Sequence, residues 1–341
     1  MTKRATIKDI AQAANVSIAT VSRVLNNNPL VTTDTKKKVM KAARSLDYIP
    51  NSSAKSLKTH QTKTIGFVIS DLASDALTVA ARAAERVLAQ NGYNMILCTT
   101  ENDPDRELEY LRMLMSKNVD GIILNSTGWN VDYVLEINQL IPVVLYNRKI
   151  ADSGFVGDLI DTNNFQGTYL LTKMLLQEGH RRIFLVGGPN RLSNAAERYQ
   201  GYAAAMMESG IAVSDEDPYF FSGEFSQDTG AAAADYLVKM EYQPTAVICE
   251  NVTLTVGFLS RAAALGLEFP RDYSFASYDG LPNAMLMKVH PTSVVFDTAE
   301  MGEQIGRSII ERIMTPDMPG REFIYDPSVI EGDSIAPAAR I

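Results

Sequence analysis

The stretch VSIATVSRVLNN, residues 16–27, reads as a short helix with two unlike sides. At 100° per residue, Thr20, Val21, Val24 and Leu25 fall on one side. Ala19, Ser22, Arg23 and Asn26 fall on the other, with Ile18 at the border, and Ser17 stands where an N-cap belongs. The outward side holds small residues, hydrogen-bonding groups and one arginine, with no acid. It is either a solvated face or a face built to lie against something negative.

The charge distribution favours the second reading. The chain has 341 residues and a formal net charge of −8. Residues 1–60 hold eight Lys and three Arg against three Asp and no Glu, a net +8, which leaves −16 on the remainder. A basic end on an acidic body predicts a polyanion contacted by one end only. No apolar run reaches the length of a membrane span, and MTKRATIKDI lacks the apolar core of a secretory leader, so a cytoplasmic protein is expected. Cys98 and Cys249 each sit inside an apolar run and are expected as buried thiols. His60, His180 and His290 share no metal-ligand spacing, and neither metal nor cofactor is expected.

Two more helices flank the opening stretch. IKDIAQAA places Ile7, Ile10, Ala11 and Ala14 at helical spacing, and NVS turns tightly into the quoted segment. From Thr32 as N-cap, DTKKKVMKAARSL supplies a third helix with Val39, Met40, Ala43 and Leu46 directed inward. Helix, tight turn, helix is the DNA-binding arrangement whose second helix enters the major groove, where arginine reads guanine edges and Ser or Asn reach bases or phosphates. Residues 1–47 form this unit. Pro50 blocks continuation of the third helix, and residues 48–62, YIPNSSAKSLKTHQT, read as a polar linker with room for one or two helical turns.

The run TIKDIAQAANVSIATVSRVLNN, followed by VTTDTKKKVMKAARSLDYIPNSSAKSLK, resembles the DNA-binding head of the LacI/GalR family of bacterial transcription regulators. The resemblance extends through the rest of the chain. It implies that Ile18 and Ala19 occupy the main specificity positions and that Arg23 is the arginine shared by recognition helices. It makes the linker a hinge helix that folds on the operator, with Leu57 as a wedge in the minor groove, where unstacking is offset by bent, wrapped DNA. Thr6, Ser17, Thr20, Ser22, Asn26, Tyr48, Asn51, Ala54 and Lys58 complete the expected DNA contacts.

After residue 63 strands and helices alternate. Strands are expected at TIGFVI, NMILCT, DGIILN, PVVLY, GDLIDT, RRIFLVGG, TAVICE and YSFASYD. Helical stretches such as LTVAARAAERVLAQNG and PDRELEYLRMLMSKN lie between them. The pattern predicts an α/β body, 63–341, of two doubly wound parallel-sheet lobes with helices on both faces. The resemblance implies a core like that of periplasmic binding proteins. The N-lobe is then expected over 63–161 and 292–323, and the C-lobe over 162–291 and 324–341. Ligands of such folds bind at the carboxyl ends of strands, here between the lobes.

No catalytic motif is present: G-x-G-x-x-G, the phosphate-binding G-x-x-x-x-G-K-[ST] and the G-x-S-x-G elbow are all missing, and an enzyme is not expected. Strand-end residues are the candidates for effector contact: Asp71, Arg148, Arg198, Phe225, Asn251 and Asp279, joined by Leu77, Phe296 and the lone tryptophan, Trp129. By the resemblance, Arg198 and Asp279 hydrogen-bond the effector and Phe225 stacks on it. The chain departs from the family where SDAL, residues 74–77, replaces an Asn-Pro-aromatic-aromatic run. It departs again where Asn251-Val252 replaces Asn-Asp and where FDT, residues 296–298, replaces a Gln-Pro region. Losing the Asp leaves polyol hydroxyls unpaired at about 1–3 kcal/mol each, which weakens the case for a neutral hexose. The expected function is therefore a sequence-specific repressor binding a pseudo-palindromic operator as a homodimer and controlled by a small-molecule effector, a sugar or related metabolite. A protein co-repressor is the alternative. The tail GDSIAPAARI carries no leucine heptad, so no tetramer is expected.

Overall fold

Three hydroxyl side chains start the helices of the N-terminal unit. Thr6 caps α1 (Ile7–Ala14) in a reciprocal box with Asp9, whose carboxylate accepts the Thr6 N–H at 2.7 Å. Asn15, at φ 51°, closes α1 in the left-handed conformation and makes the tight turn. Ser17 Oγ accepts the Thr20 N–H at the start of α2 (Ile18–Leu25), and Thr32 caps α3 (Thr33–Ser45). The computed structural model describes residues 5–25, 28–48, 61–150, 154–214 and 217–338, and the chain separates into two units, Met1–Thr62 and Lys63–Ile341.

The core of the first unit is Ile10, Val21, Val24, Val39, Ala42 and Ala43, with Thr20 and Leu25 half-buried beside it. Each fully buried Ile or Val contributes about 1.5–3 kcal/mol. Two expectations for α3 fail: Met40 and Leu46 are 41% and 36% exposed. The inward stripe runs through residues 39, 42 and 43, so Met40 is turned away from it. Leu46 is the C-cap and lies past the last helical turn.

The second unit contains two six-stranded sheets. The first, ordered β11-β5-β4-β3-β1-β2, uses β1 (Thr64–Ile69), β2 (Asn94–Thr99), β3 (Gly121–Leu124), β4 (Val143–Tyr146), β5 (Asp158–Thr162) and β11 (Arg321–Tyr325). The second, ordered β12-β10-β9-β8-β6-β7, uses β6 (Ile183–Gly187), β7 (Phe220–Ser222), β8 (Ala246–Cys249), β9 (Ser274–Tyr278), β10 (Thr292–Val295) and β12 (Ser328–Ile330). Every pairing is parallel except β12 on β10. Strands β3, β4, β6 and β8 are buried along their whole length because helices cover both faces of each sheet.

In the N-lobe, α4 (Asp75–Gln90) and α11 (Thr298–Met314) cover one face, burying Ala80, Ala84, Leu88, Ile305 and Ile309 against Ile65, Phe67 and Ile69. Leu111 and Leu114 of α5 (Pro104–Ser116), with Val134 and Ile137 of α6 (Val131–Asn138), cover the other. In the C-lobe the coverings are α7 (Asn164–Gln177) with α8 (Ser193–Glu208), and α9 (Gln227–Leu237) with α10 (Val252–Ala264). Helices α7 and α8 meet at Gly201, where a Cβ would lie 2.1 Å from the Phe165 carbonyl oxygen.

The late segments divide differently from the expectation. Residues 292–295 pair with β9 in the C-lobe sheet, whereas 324 and 325 pair with β5 in the N-lobe sheet. The chain therefore crosses between lobes at about residues 163, 296 and 326. Each crossing is only a residue or two long, and Asn163 binds two of them, donating from Nδ2 to Asp326 Oδ1 at 2.9 Å and from its backbone to Tyr325 O. The last N-lobe strand is anchored by charge: buried Asp158 receives Arg312 at 2.5 Å and Arg321 at 2.6 Å. Burial alone would raise this carboxyl, but the two guanidiniums outweigh it and hold it below the usual range. No helix among the described residues is long and apolar enough to cross a membrane.

Candidate functional site

The outward side of α2 is open. Ile18 is 46% exposed, Ala19 and Arg23 are exposed, and Ser22 is half-buried. Thr6, Ser17 and Thr20 also serve as caps: Thr6 Oγ1 donates to the Asp9 carboxylate, and the Ser17 and Thr20 hydroxyls lie 2.8 Å apart. Tyr48 packs partly against the small core. Asn26, Asn51, Ala54, Leu57 and Lys58 lie outside the described residues.

Strand ends of the body converge on a cleft between the lobes that is partly open to solvent. Asp71, Leu77 and Arg148 line it from the N-lobe. Arg198, Phe225, Asn251 and Asp279 line it from the C-lobe, and Phe296 lies at a crossing. The structure does not bring Trp129 among them. Its indole is 63% exposed and packs under Arg191, whose guanidinium carbon lies 5.4 Å from the ring centre and which pairs with both oxygens of Glu224 at 2.8 Å.

Two arginines are buried in the cleft walls. Arg148 donates from Nη1 to the Ser126 carbonyl at 2.7 Å and from Nη2 to Asn102 Oδ1 at 2.9 Å, while its buried Nε has no partner. Burial presses its ionisation down to about 10. Arg198 donates from Nε to Asn164 Oδ1 at 2.9 Å and from Nη1 to the Glu250 carbonyl, with its guanidinium 3.7 Å from the centre of the Tyr278 ring. Burial opposes this charge too, but Tyr278, Asp279, Glu250 and Asp161 outweigh it and the ionisation rises.

Asp279 directly follows β9 at φ 66°, and Asn102 and Asn147 also line the cleft in the left-handed region, at φ 58° and 60°. Asn and Asp tolerate that conformation best among residues with a Cβ, and it turns strand ends sharply towards the opening. The Asp279 carboxyl is raised, first by burial and against the pull of Arg198. Phe225 is held by a close approach: a Cβ on Gly188 would fall 2.2 Å from its ring. Asn251 is partly committed, since its Oδ1 caps α10 by accepting the Leu254 N–H at 2.8 Å.

Behind the cleft lie two more acids. Burial pushes Glu250 up to about 8, against the Gly188 N–H bound to its Oε2 and the charge of Arg198. It also pushes Asp161 up to about 6, against the Thr162 N–H. The lobes are fastened to each other around the opening. Lys149 Nζ meets Glu197 at 2.9 Å, the Lys149 N–H donates to Ser193 Oγ at 2.8 Å, and Thr253 donates to Asp71 at 3.3 Å.

The sequence reading missed Asn102, Asn147, Asn194 and Thr253 among the lining residues. Asn147 directly follows an apolar strand, and that was the available signal.

Residues 6–51 match the family described as "Bacterial regulatory proteins, lacI family", and residues 62–324 match "Periplasmic binding proteins and sugar binding domain of LacI family". The chain is 33% identical over 333 residues to the HTH-type transcriptional repressor PurR of Vibrio cholerae serotype O1 (strain M66-2), covering 97% of this chain and 98% of that one. It is 31% identical to PurR of Klebsiella pneumoniae (strain 342) over 334 residues, 97% of each. Among solved structures it superposes on the Lac repressor dimer bound to operator and the anti-inducer ONPF with a TM-score of 0.82 at 23% identity, covering 98% of this chain and 100% of that one. A ribose-bound LacI family regulator from Enterococcus faecium gives 0.71 at 25% identity, covering 81% and 100%. With a helix-turn-helix unit, a two-lobed body and matches across nearly the whole length, the chain belongs to the LacI family of bacterial regulatory proteins.

Proposed function

We propose that the chain is a dimeric transcriptional repressor whose affinity for a pseudo-palindromic operator is set by a small polar molecule in the interlobe cleft. One observation carries the reading: eight of the nine expected effector residues line a single cleft between two lobes that also fasten to each other across it. A ligand there touches both lobes at once, so it binds one lobe arrangement better than another, and that difference is what shifts an equilibrium.

On the DNA side, the exposed Ile18, Ala19 and Arg23 face the major groove, and Leu57 acts in the minor groove by family resemblance. Exposed Met285 and Leu286, at 82% and 81%, are candidates for the contact between protomers. An operator selected from random duplexes, titrated with and without a bacterial metabolite extract, tests the scheme. Wild type should respond to the extract, Arg198→Ala should bind the operator without responding, and Leu57→Ala should lose operator affinity. A full response from Arg198→Ala together with normal binding by Leu57→Ala refutes it. A protein co-repressor in place of the small molecule leaves the low-molecular-weight titration silent until protein is added.

A further inference from the structure

We infer that the cleft takes an anion, a hydroxylated small molecule whose carboxylate or phosphate docks on Arg148 in the N-lobe while its hydroxyls donate to Asp279 in the C-lobe. This rests on the small-molecule reading above and adds the chemical class of the effector.

The argument is one of compensation. Buried charges are normally paired, because an isolated one costs several kcal/mol of lost hydration. Among the described residues neither cleft arginine forms an ion pair, yet both are almost completely buried, at 4% and 3% exposure. Arg198 is compensated nonetheless: it lies on the Tyr278 ring and feels the nearby Asp279 and Asp161. Arg148 has less. The first acid to act on it, Glu107, makes no hydrogen bond to it and spends its oxygens on the Thr127 N–H and hydroxyl at 2.6 and 2.9 Å and on Asn130 at 3.0 Å. Both protein acceptors of Arg148 are neutral oxygens. They use two of the five N–H donors of a guanidinium, leaving three, of which Nε is buried without a partner.

The C-lobe wall complements this. The Asp279 carboxylate lines the cleft with no hydrogen bond among the described residues, so it accepts from a donor such as a hydroxyl. A neutral hexose satisfies Asp279 and leaves the Arg148 charge unmatched. A simple inorganic anion does the reverse. A sugar acid or sugar phosphate satisfies both.

The test uses the full-length protein and thermal melting. A low-molecular-weight bacterial extract is split at pH 7 on an anion-exchange resin into bound and flow-through fractions. D-glucose, D-glucuronate and D-glucose 6-phosphate serve as defined probes. The bound fraction should raise the melting temperature of wild type. It should bind Arg148→Met about tenfold more weakly or worse, the loss of one charge-assisted hydrogen bond. Arg148→Lys, which keeps the charge, should retain part of the shift and shows that the effect is not misfolding. Phosphatase treatment of the bound fraction separates the two anion sources: a lost shift indicates phosphate and a retained one carboxylate. Activity confined to the flow-through, or an undiminished shift in Arg148→Met, overturns the anion inference and leaves the small-molecule reading standing. No shift from either fraction overturns both.

Discussion

Replacing Glu250 with Gln should change how stability depends on pH. The carboxyl sits at the end of β8, entirely inside the C-lobe, with one oxygen accepting the Gly188 N–H at 3.0 Å and the other without a partner. Burial lifts it from an ordinary 4.5 to about 8. The folded protein then holds this proton while the unfolded chain releases it, so the unfolded state binds fewer protons between those two values. Stability contributed by the protonated carboxyl is complete below pH 4.5 and is lost as pH climbs towards 8, after which both states are ionised and the loss stops. The span corresponds to at most about 5 kcal/mol at 1.36 kcal/mol for each tenfold step in proton concentration. Glutamine keeps an acceptor for Gly188 and has no proton to lose. Denaturant unfolding of both proteins from pH 5 to 9 should show the variant gaining several kcal/mol relative to wild type as pH rises. A difference constant across that range refutes the buried-acid account. Asp161→Asn should show the same sign in a lower window, ending near pH 6.

Three further outcomes are expected. Gly201→Ala should cost about 1–3 kcal/mol despite alanine's better helix propensity, because its Cβ meets the Phe165 carbonyl; an unchanged melting curve would show that α7 and α8 separate freely. Joint replacement of Met285 and Leu286 by Glu should yield folded monomers in sedimentation, since both side chains are exposed in the single chain, and a persisting dimer places the interface elsewhere. Arg23→Ala should leave thermal stability within about 0.5 kcal/mol and cost about 1–3 kcal/mol on the operator. Equal loss on random DNA assigns Arg23 to phosphate instead.

Much of this was legible in the chain because local rules and tertiary structure agree. The apolar runs from TIGFVI to YSFASYD became strands, and Asp71, Arg148 and Asp279 at their ends reached the cleft. What was missed depends on contacts between distant residues. QDTGAAAADYL carries an internal glycine that argues against a helix, yet Gly230 is there because the backbone of α10 approaches it, a Cβ meeting the Leu254 oxygen at 2.2 Å. VDYVLEIN is short and begins without a side-chain cap, and the three residues of β7 are too few for a period to show. Sheet membership was equally hidden, since nothing in SVVF distinguishes pairing with β9 from pairing in the other lobe. Trp129 invites a ligand-stacking role by composition, but it lies outside the cleft lining, 63% exposed and with Arg191 near its ring.

The three short crossings also bear on how the body is made. The N-lobe core includes Met301, Ile305 and Ile309, delivered by α11 roughly 220 residues after α4 is complete. At about 5–20 residues per second, the apolar flank of α4 waits for some 10 to 45 s while the C-lobe is synthesised. During translation the first lobe is thus an unsealed half-layer, open to chaperones and to wrong partners. Segments made after the C-lobe helices close the lobe that began first, so a nascent chain stalled before residue 298 has neither a finished N-lobe nor, without β12, a finished C-lobe sheet.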